Sequence, residues 1–192
     1  MKPSKILAIK NMVCARCIRV VKEELQQLGY SIEQIELGKV VLKEELSTDQ
    51  WSIIQKVMQQ NGFEVIESQQ AQLVESVKTL IIEHIHHKQE KPSSVNFSEF
   101  LAQRTGSNYF NLSKLFSSLE GITIEKYIIL QKIERVKELL IYGEKNLSEI
   151  AFELDYSSVS HLSGQFKKVT GLSPTAFLKL TGPRRKSLDD IQ

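Results

Sequence analysis

The sequence predicts an α+β protein, a small β-α-β-β-α-β domain followed by an all-helical domain. Three observations carry that prediction. From Lys5 to Glu67, short β-like runs alternate with two helical patterns. From Gln69 onward the strand signals fade and the apolar repeats are helical. Within that second half, one segment recurs at an offset of 50 residues.

The elements follow in order. "KILAIK" is short, apolar and Ile-rich, and reads as a strand. "ARCIRVVKEELQQLG" places Cys17, Ile18, Val21, Leu25 and Leu28 on one helical face, and Gly29 is a stop. "SIEQIEL" and "KVVLKEE" flank Gly38 as a hairpin. "STDQWSIIQKVMQQNG" opens on a cap from Ser47, Thr48 or Asp49, and Trp51, Ile54, Val57 and Met58 share a face. "FEVIE" is a final strand. This order is the split-βαβ, ferredoxin-like arrangement. Helical patterns then run at roughly 71–88, 97–104, 108–119, 123–141, 147–154, 158–169 and 174–180, punctuated by Gly106, Gly121, Gly143, Gly171 and Pro174. "HHKQEKPSS" is a polar loop. The domains expected are 1–68, 69–182 and a basic-then-acidic tail, 183–192.

Bulk properties bound the class. The chain has 192 residues, 41% hydrophobic and 25% charged, ordinary values for a soluble protein of one or two domains. Ile6 to Ile9 is too short for a signal-peptide core of roughly 7–15 apolar residues. No run approaches the roughly 18 apolar residues of a membrane helix. The expectation is a cytoplasmic protein without a membrane partner, whose two cysteines are catalytic or metal-binding in preference to a structural disulfide. Net charge is +2, so nucleic-acid binding must come from local clusters.

"NFSEFLAQRTGSNYFNLSKLFSSLEG" (96–121) lies on "NLSEIAFELDYSSVSHLSGQFKKVTG" (146–171). Leu112, Ser113 and Phe116 match Leu162, Ser163 and Phe166, and Gly121 matches Gly171. The register slips by one in the middle, pairing Ala102 with Ala151. Each copy reads as a helix-turn-helix, and the 123–141 helix joins them. Leu112, Leu115, Phe116 and Leu119 form an inner face in the first copy, and Leu162, Phe166 and Val169 in the second. The opposite faces are small and polar: Asn111, Ser113, Lys114 and Ser117, then Ser160, Ser163, Gly164 and Lys167. Such a face lets a helix sit deep in a major groove and read base edges. Helix N-termini, Lys167, Lys168 and "RRK" (184–186) are suited to neutralise phosphates. The plainer reading is a helical bundle with solvated faces; the duplication and the turn chemistry favour DNA.

This half resembles the DNA-binding domain of AraC-type transcriptional regulators over roughly residues 71–180. "LAQRTGSNYFNLSKLF" is similar to the family's first unit, and "LSEIAFELDYSSVSHLSGQFKKVTGLSPTAF" to its signature second unit. The resemblance implies two recognition helices in successive major-groove segments, about one helical turn apart. It implies base contacts from Phe110 and Lys114, with Asn111 beside them, and from Ser160 and Gly164. The sequence departs from the pattern at three places. Gly164 stands where Arg is frequent, so specificity in the second unit is either weak or carried by Val159, Ser160 and His161. Asp155 stands where the turn usually has Gly, and Asp tolerates left-handed backbone better than most residues. Gln131 stands where an Arg is common.

Cys14 is expected in the loop after the first strand and Cys17 in the first turn of the first helix. That spacing lets two thiolates face one ion, and a helix N-terminus with Arg16 and Arg19 nearby favours the thiolate. Two thiolates suit Cu(I) or another soft metal ion; they are half of a zinc site. A thiol-reactive switch and a packing or dimerisation role stay open. "NMVCARC" resembles the Met-X-Cys-X-X-Cys motif of heavy-metal-associated domains over roughly 4–67, with Asn11 replacing the usual Gly. In "EHIHHK", His84 and His87 share a helical face with His86 beside them, and the expected state is a solvated helix end.

The leading expectation is a sequence-specific DNA-binding regulator that senses a soft metal ion through Cys14 and Cys17. Two alternatives remain: an N-terminal domain that only dimerises or binds a protein partner, and an intracellular metal carrier. The expected partners are double-stranded DNA and a second copy of the chain. An enzyme lacks support, since there is no Gly-rich phosphate loop with a following Lys and no Ser/His/Asp arrangement.

Overall fold

A computed structural model describes residues 6–87 and 96–181. The elements are β1 (Ile6–Lys10), α1 (Ala15–Gln27), β2 (Ile32–Glu36), β3 (Lys39–Leu42), α2 (Thr48–Gln60), β4 (Glu64–Ile66), α3 (Gln69–His86), α4 (Phe97–Thr105), α5 (Tyr109–Glu120), α6 (Ile124–Tyr142), α7 (Leu147–Glu153), α8 (Val159–Thr170) and α9 (Pro174–Thr181). The protein is thus mixed α+β, a small antiparallel sheet with two helices and then helices only. The tail at 183–192, "RRK" included, and much of "HHKQEKPSS" lie outside the described residues.

The sheet has the order β2-β3-β1-β4, every neighbour antiparallel. β1 is central, with Leu7, Ala8 and Ile9 buried in succession, so both of its faces are covered. α1 and α2 supply Val21, Leu25, Trp51, Ile54 and Met58 to a core that includes Leu7, Ile9, Val40 and Leu42. Each such side chain contributes roughly 1.5–3 kcal/mol when fully buried. α2 starts with a capping box: Ser47 Oγ accepts from Gln50 N, and Gln50 Oε1 accepts from Ser47 N.

Gly38 turns the β2–β3 hairpin with φ +74°. A Cβ there would stand 2.9 Å from Thr79 Oγ1 on α3, so the position needs glycine for space as well as for backbone geometry. α3 begins three residues after β4 ends, which leaves little linker. Its Lys78 reaches Glu75 at 3.1 Å and Glu120, the last residue of α5, at 3.4 Å.

The described residues form two compact units. The first holds everything through Glu83 together with α4 and α5; the second holds the last turn of α3 and everything from Ile122. The change from mixed to helical structure falls at Gln69, whereas the boundary between packing units falls elsewhere. In the second unit α6 packs against α7, α8 and α9, burying Ile133, Val136, Leu139, Ile150, Leu162 and Phe166.

The "EHIHHK" expectation is corrected. His84 and His86 are not a solvated helix end: their side chains are 18% and 21% exposed. His86 Nε2 donates to Gln131 Oε1 at 2.9 Å, and His84 Nε2 lies 3.9 Å from Asp155 Oδ2. Burial is the main influence on the His86 imidazole and lowers its pKa. The helical period places these residues correctly on α3, but only tertiary packing covers them.

Candidate nucleic-acid interface and the Cys14–Cys17 pair

The two helix-turn-helix copies are built alike. Asn96 and Asn146 stand at the N-caps of α4 and α7, and Asn108 and Ser158 at those of α5 and α8. Asn108 Oδ1 accepts from Phe110 N at 2.9 Å, and Ser158 Oγ accepts from His161 N at 3.1 Å. Gly121 and Gly171 end α5 and α8 in left-handed conformation. The turns themselves carry left-handed residues at Gly106 (φ +66°) and Asp155 (φ +53°). These are 49 positions apart while the caps are 50 apart, so the second turn is one residue longer. That is the register slip read in the sequence.

The inner faces follow the repeat with one correction. Leu112, Phe116, Leu162 and Phe166 are buried, and Leu115 and Val169 are half-buried. Leu119 is 51% exposed rather than internal. It lies one residue before α5 ends, and the nine-residue α4 covers only part of that twelve-residue helix.

The outer faces hold the residues proposed to meet DNA. On α5, Phe110, Asn111 and Lys114 are exposed, Phe110 by 73%, while Ser113 and Ser117 are half-buried at its flank. On α8, Ser160, His161, Gly164, Lys167 and Lys168 are exposed, and Val159 is half-buried. Positions 160, 164, 167 and 168 recur at i, i+4, i+7 and i+8, one continuous stripe. Gly164 has open space around its missing Cβ, so the stripe is shallow at its middle. Lys167 and Lys168 fall in the last turn, where cations also suit the helix dipole.

Tyr156 anchors the second turn, and nothing in the periodicity singles it out. It is buried, and its hydroxyl donates to Gln165 Oε1 at 2.7 Å. Lys132 Nζ stands 5.2 Å from the ring centroid and donates to Leu154 O at 2.5 Å. Burial pushes the Tyr156 phenol up to about 12. Its place between a left-handed residue and a helix cap is the one sequence signal that points to it.

Cys14 is the N-cap of α1, and Cys17 lies in its first turn. Both thiols are free and half-buried, with the sulfurs 3.2 Å apart. The Cys17 thiol lowers the Cys14 pKa most, helped by the backbone N–H groups of Cys17 and Arg16 and the Arg16 charge; partial desolvation opposes them. Met12 is buried in the core against which Cys17 packs. Asn11 takes φ +69°, the conformation that a glycine would supply, and its Nδ2 donates to Gly62 O at 3.1 Å. Among the described residues no three His, Cys, Asp or Glu side chains gather as a metal site. Two thiolates are donors of the kind a soft ion takes, and they are half of a tetrahedral zinc set. No helix among the described residues is long and apolar enough to cross a membrane.

Two helix pairs, each with a capped second helix and matched buried and exposed faces, define a double helix-turn-helix. Residues 101–180 match the family described as "Helix-turn-helix domain". The chain is 32% identical over 108 residues to the probable transcriptional regulator LumQ of Photobacterium leiognathi, covering 54% of this chain and 41% of that protein. It is 29% identical over 97 residues to the putative HTH-type transcriptional regulator YkgA of Escherichia coli K12, covering 50% and 39%. It thus spans about two-fifths of the length of these curated relatives. The fold is similar to the C-terminal domain of AraT, a response regulator from Geobacillus stearothermophilus, with a TM-score of 0.50 at 24% identity over 63% of this chain and 93% of that one. Residues 101–180 thus match a helix-turn-helix domain, and the two curated relatives named here are described as transcriptional regulators.

Proposed function

We propose that this protein is a sequence-specific, DNA-binding transcriptional regulator. The observation that carries the reading is the duplicated helix pair, with a side-chain cap and an exposed stripe on each second helix. Phe110, Asn111 and Lys114 on α5, and Ser160, His161 and Gly164 on α8, meet base edges; Ser113, Ser117 and Val159 line the flanks. Lys167 and Lys168 meet phosphates.

In this reading the N-terminal domain is ferredoxin-like and related to heavy-metal-associated domains, and Cys14 and Cys17 take Cu(I) or another soft ion. The β-α-β-β-α-β order, the helix-start position of the thiols and their separation support it. Binding shifts DNA affinity only if one conformation or dimer state holds the ion better than another. The lack of a third ligand among the described residues equally favours a second reading, in which this domain dimerises or binds a protein.

Selection of preferred DNA sequences by the purified protein, with and without Cu(I) under reducing conditions, tests both parts. A shared preference in either condition is expected, with affinity changed by Cu(I). Loss of all preference sinks the regulator. An unchanged response in Cys14→Ser/Cys17→Ser sinks the sensor.

A further inference from the structure

The second helix-turn-helix holds one exposed side chain in a fixed pose. His161 lies in the first turn of α8 and is exposed. Its Nδ1 lies 3.0 Å from Ser157 Oγ. Its ring stands T-shaped to that of Tyr156, with centroids 5.3 Å apart and planes at 86°. Tyr156 is itself immobilised by burial and by its bond to Gln165. Two consecutive turn residues therefore restrict an imidazole that, on an open helix face, would sample several rotamers. A side chain already fixed loses less freedom when it meets a partner.

The contact also bears on the ring proton. A seryl hydroxyl donates or accepts. When Ser157 donates to Nδ1, the imidazole proton sits on Nε2, at the opposite edge of the ring. His161, Gly164 and Lys168 are spaced i, i+3 and i+7 on the exposed side of α8. Gly164 offers no side chain and Ser160 a short one, so His161 is the long, directed donor near the start of this helix. First-turn residues of a recognition helix meet base edges, and guanine presents two adjacent acceptors, N7 and O6, in the major groove.

We infer that Ser157 is a positioning residue that holds His161 with its Nε2–H outward, and that His161 so held donates to a guanine in the half-site read by α8. This rests on the DNA-binding reading above and deepens it, since it names a base and the residue that reads it.

The test uses the full chain and its selected DNA sequence. Each guanine is replaced in turn by 7-deazaguanine and by 2-aminopurine, which remove N7 and O6. Affinities are measured by fluorescence anisotropy for the wild type, Ser157→Ala, His161→Ala and the double variant. One guanine is expected to matter to the wild type by about fivefold or more, the low end for one good base contact. His161→Ala should be indifferent to replacement at that guanine. Ser157→Ala should lose most of the same discrimination, and the double variant should be no worse than His161→Ala. Affinity for unrelated DNA should stay unchanged in Ser157→Ala. The inference is overturned if His161→Ala keeps its sensitivity at every guanine. It is also overturned if Ser157→Ala weakens selected and unrelated DNA equally, as a structural or phosphate role requires. Absence of any preferred sequence for the wild type removes the regulator reading, and this inference with it.

Discussion

Gly106 and Asp155 hold the same left-handed backbone, φ +66° and +53°, at the turns of two helix pairs that share almost no other turn residue. One is the residue that this conformation favours; the other is an aspartate that tolerates it. Asp155→Gly should therefore leave stability within about 0.5 kcal/mol, because relief of strain offsets the added chain entropy. Asp155→Ala should cost about 1 kcal/mol. Urea unfolding followed by circular dichroism measures both, and an Ala variant as stable as wild type would refute the strain argument.

Phe116 and Phe166 occupy matching places in the repeat and are both fully buried. Truncating either to Ala should cost roughly 3–5 kcal/mol. Leu119→Ser, on a half-exposed leucine, should stay within about 0.5 kcal/mol. A large loss at Leu119 in the same melts would mean that something covers it in solution.

Lys167 and Lys168 are expected to act on phosphates without regard to sequence. Replacing Lys168 with Ala should flatten the slope of log affinity against log salt by about 0.9, the value for one lost contact. The loss should be uniform across DNA sequences. A change confined to one base pair would move Lys168 into base readout.

His86 gives a pH dependence. Burial lowers its folded pKa below the 6.5 of a free imidazole. The unfolded chain then binds the extra proton first. Its contribution to stability is present above about 6.5 and is lost as pH falls toward the depressed folded value. His86→Gln should unfold with a smaller loss of stability between pH 7 and pH 5 than wild type. An identical pH profile for both would show that His86 is not the group responsible.

Much of this was legible in the sequence because it depends on neighbours in the chain. Helical periodicity, caps and Gly stops place the described helices to within a residue or two. The repeat is legible for the same reason, down to the extra residue in the second turn. Asp155, which the sequence marks as a residue that tolerates left-handed backbone, takes positive φ because that demand is local; the same conformation at Asn11 is a finding of the structure alone. Burial was harder. Leu119 obeys the inner-face period yet is exposed, since α4 is too short to cover it. His84 and His86 fit a solvated helix end yet are packed, since residues 40 and more positions away reach them.

The candidate site divides along the same line. The sequence determined which helices carry the small polar faces and where the two thiols sit, because spacing along a helix fixes both. Only the tertiary structure decided that Tyr156 is buried beneath Lys132 and that Ser157 and Tyr156 together fix His161. It likewise decided that the two sulfurs stand 3.2 Å apart with no third ligand gathered among the described residues. Periodicity assigns a side chain to a face of its own helix; what stands opposite depends on how distant segments pack.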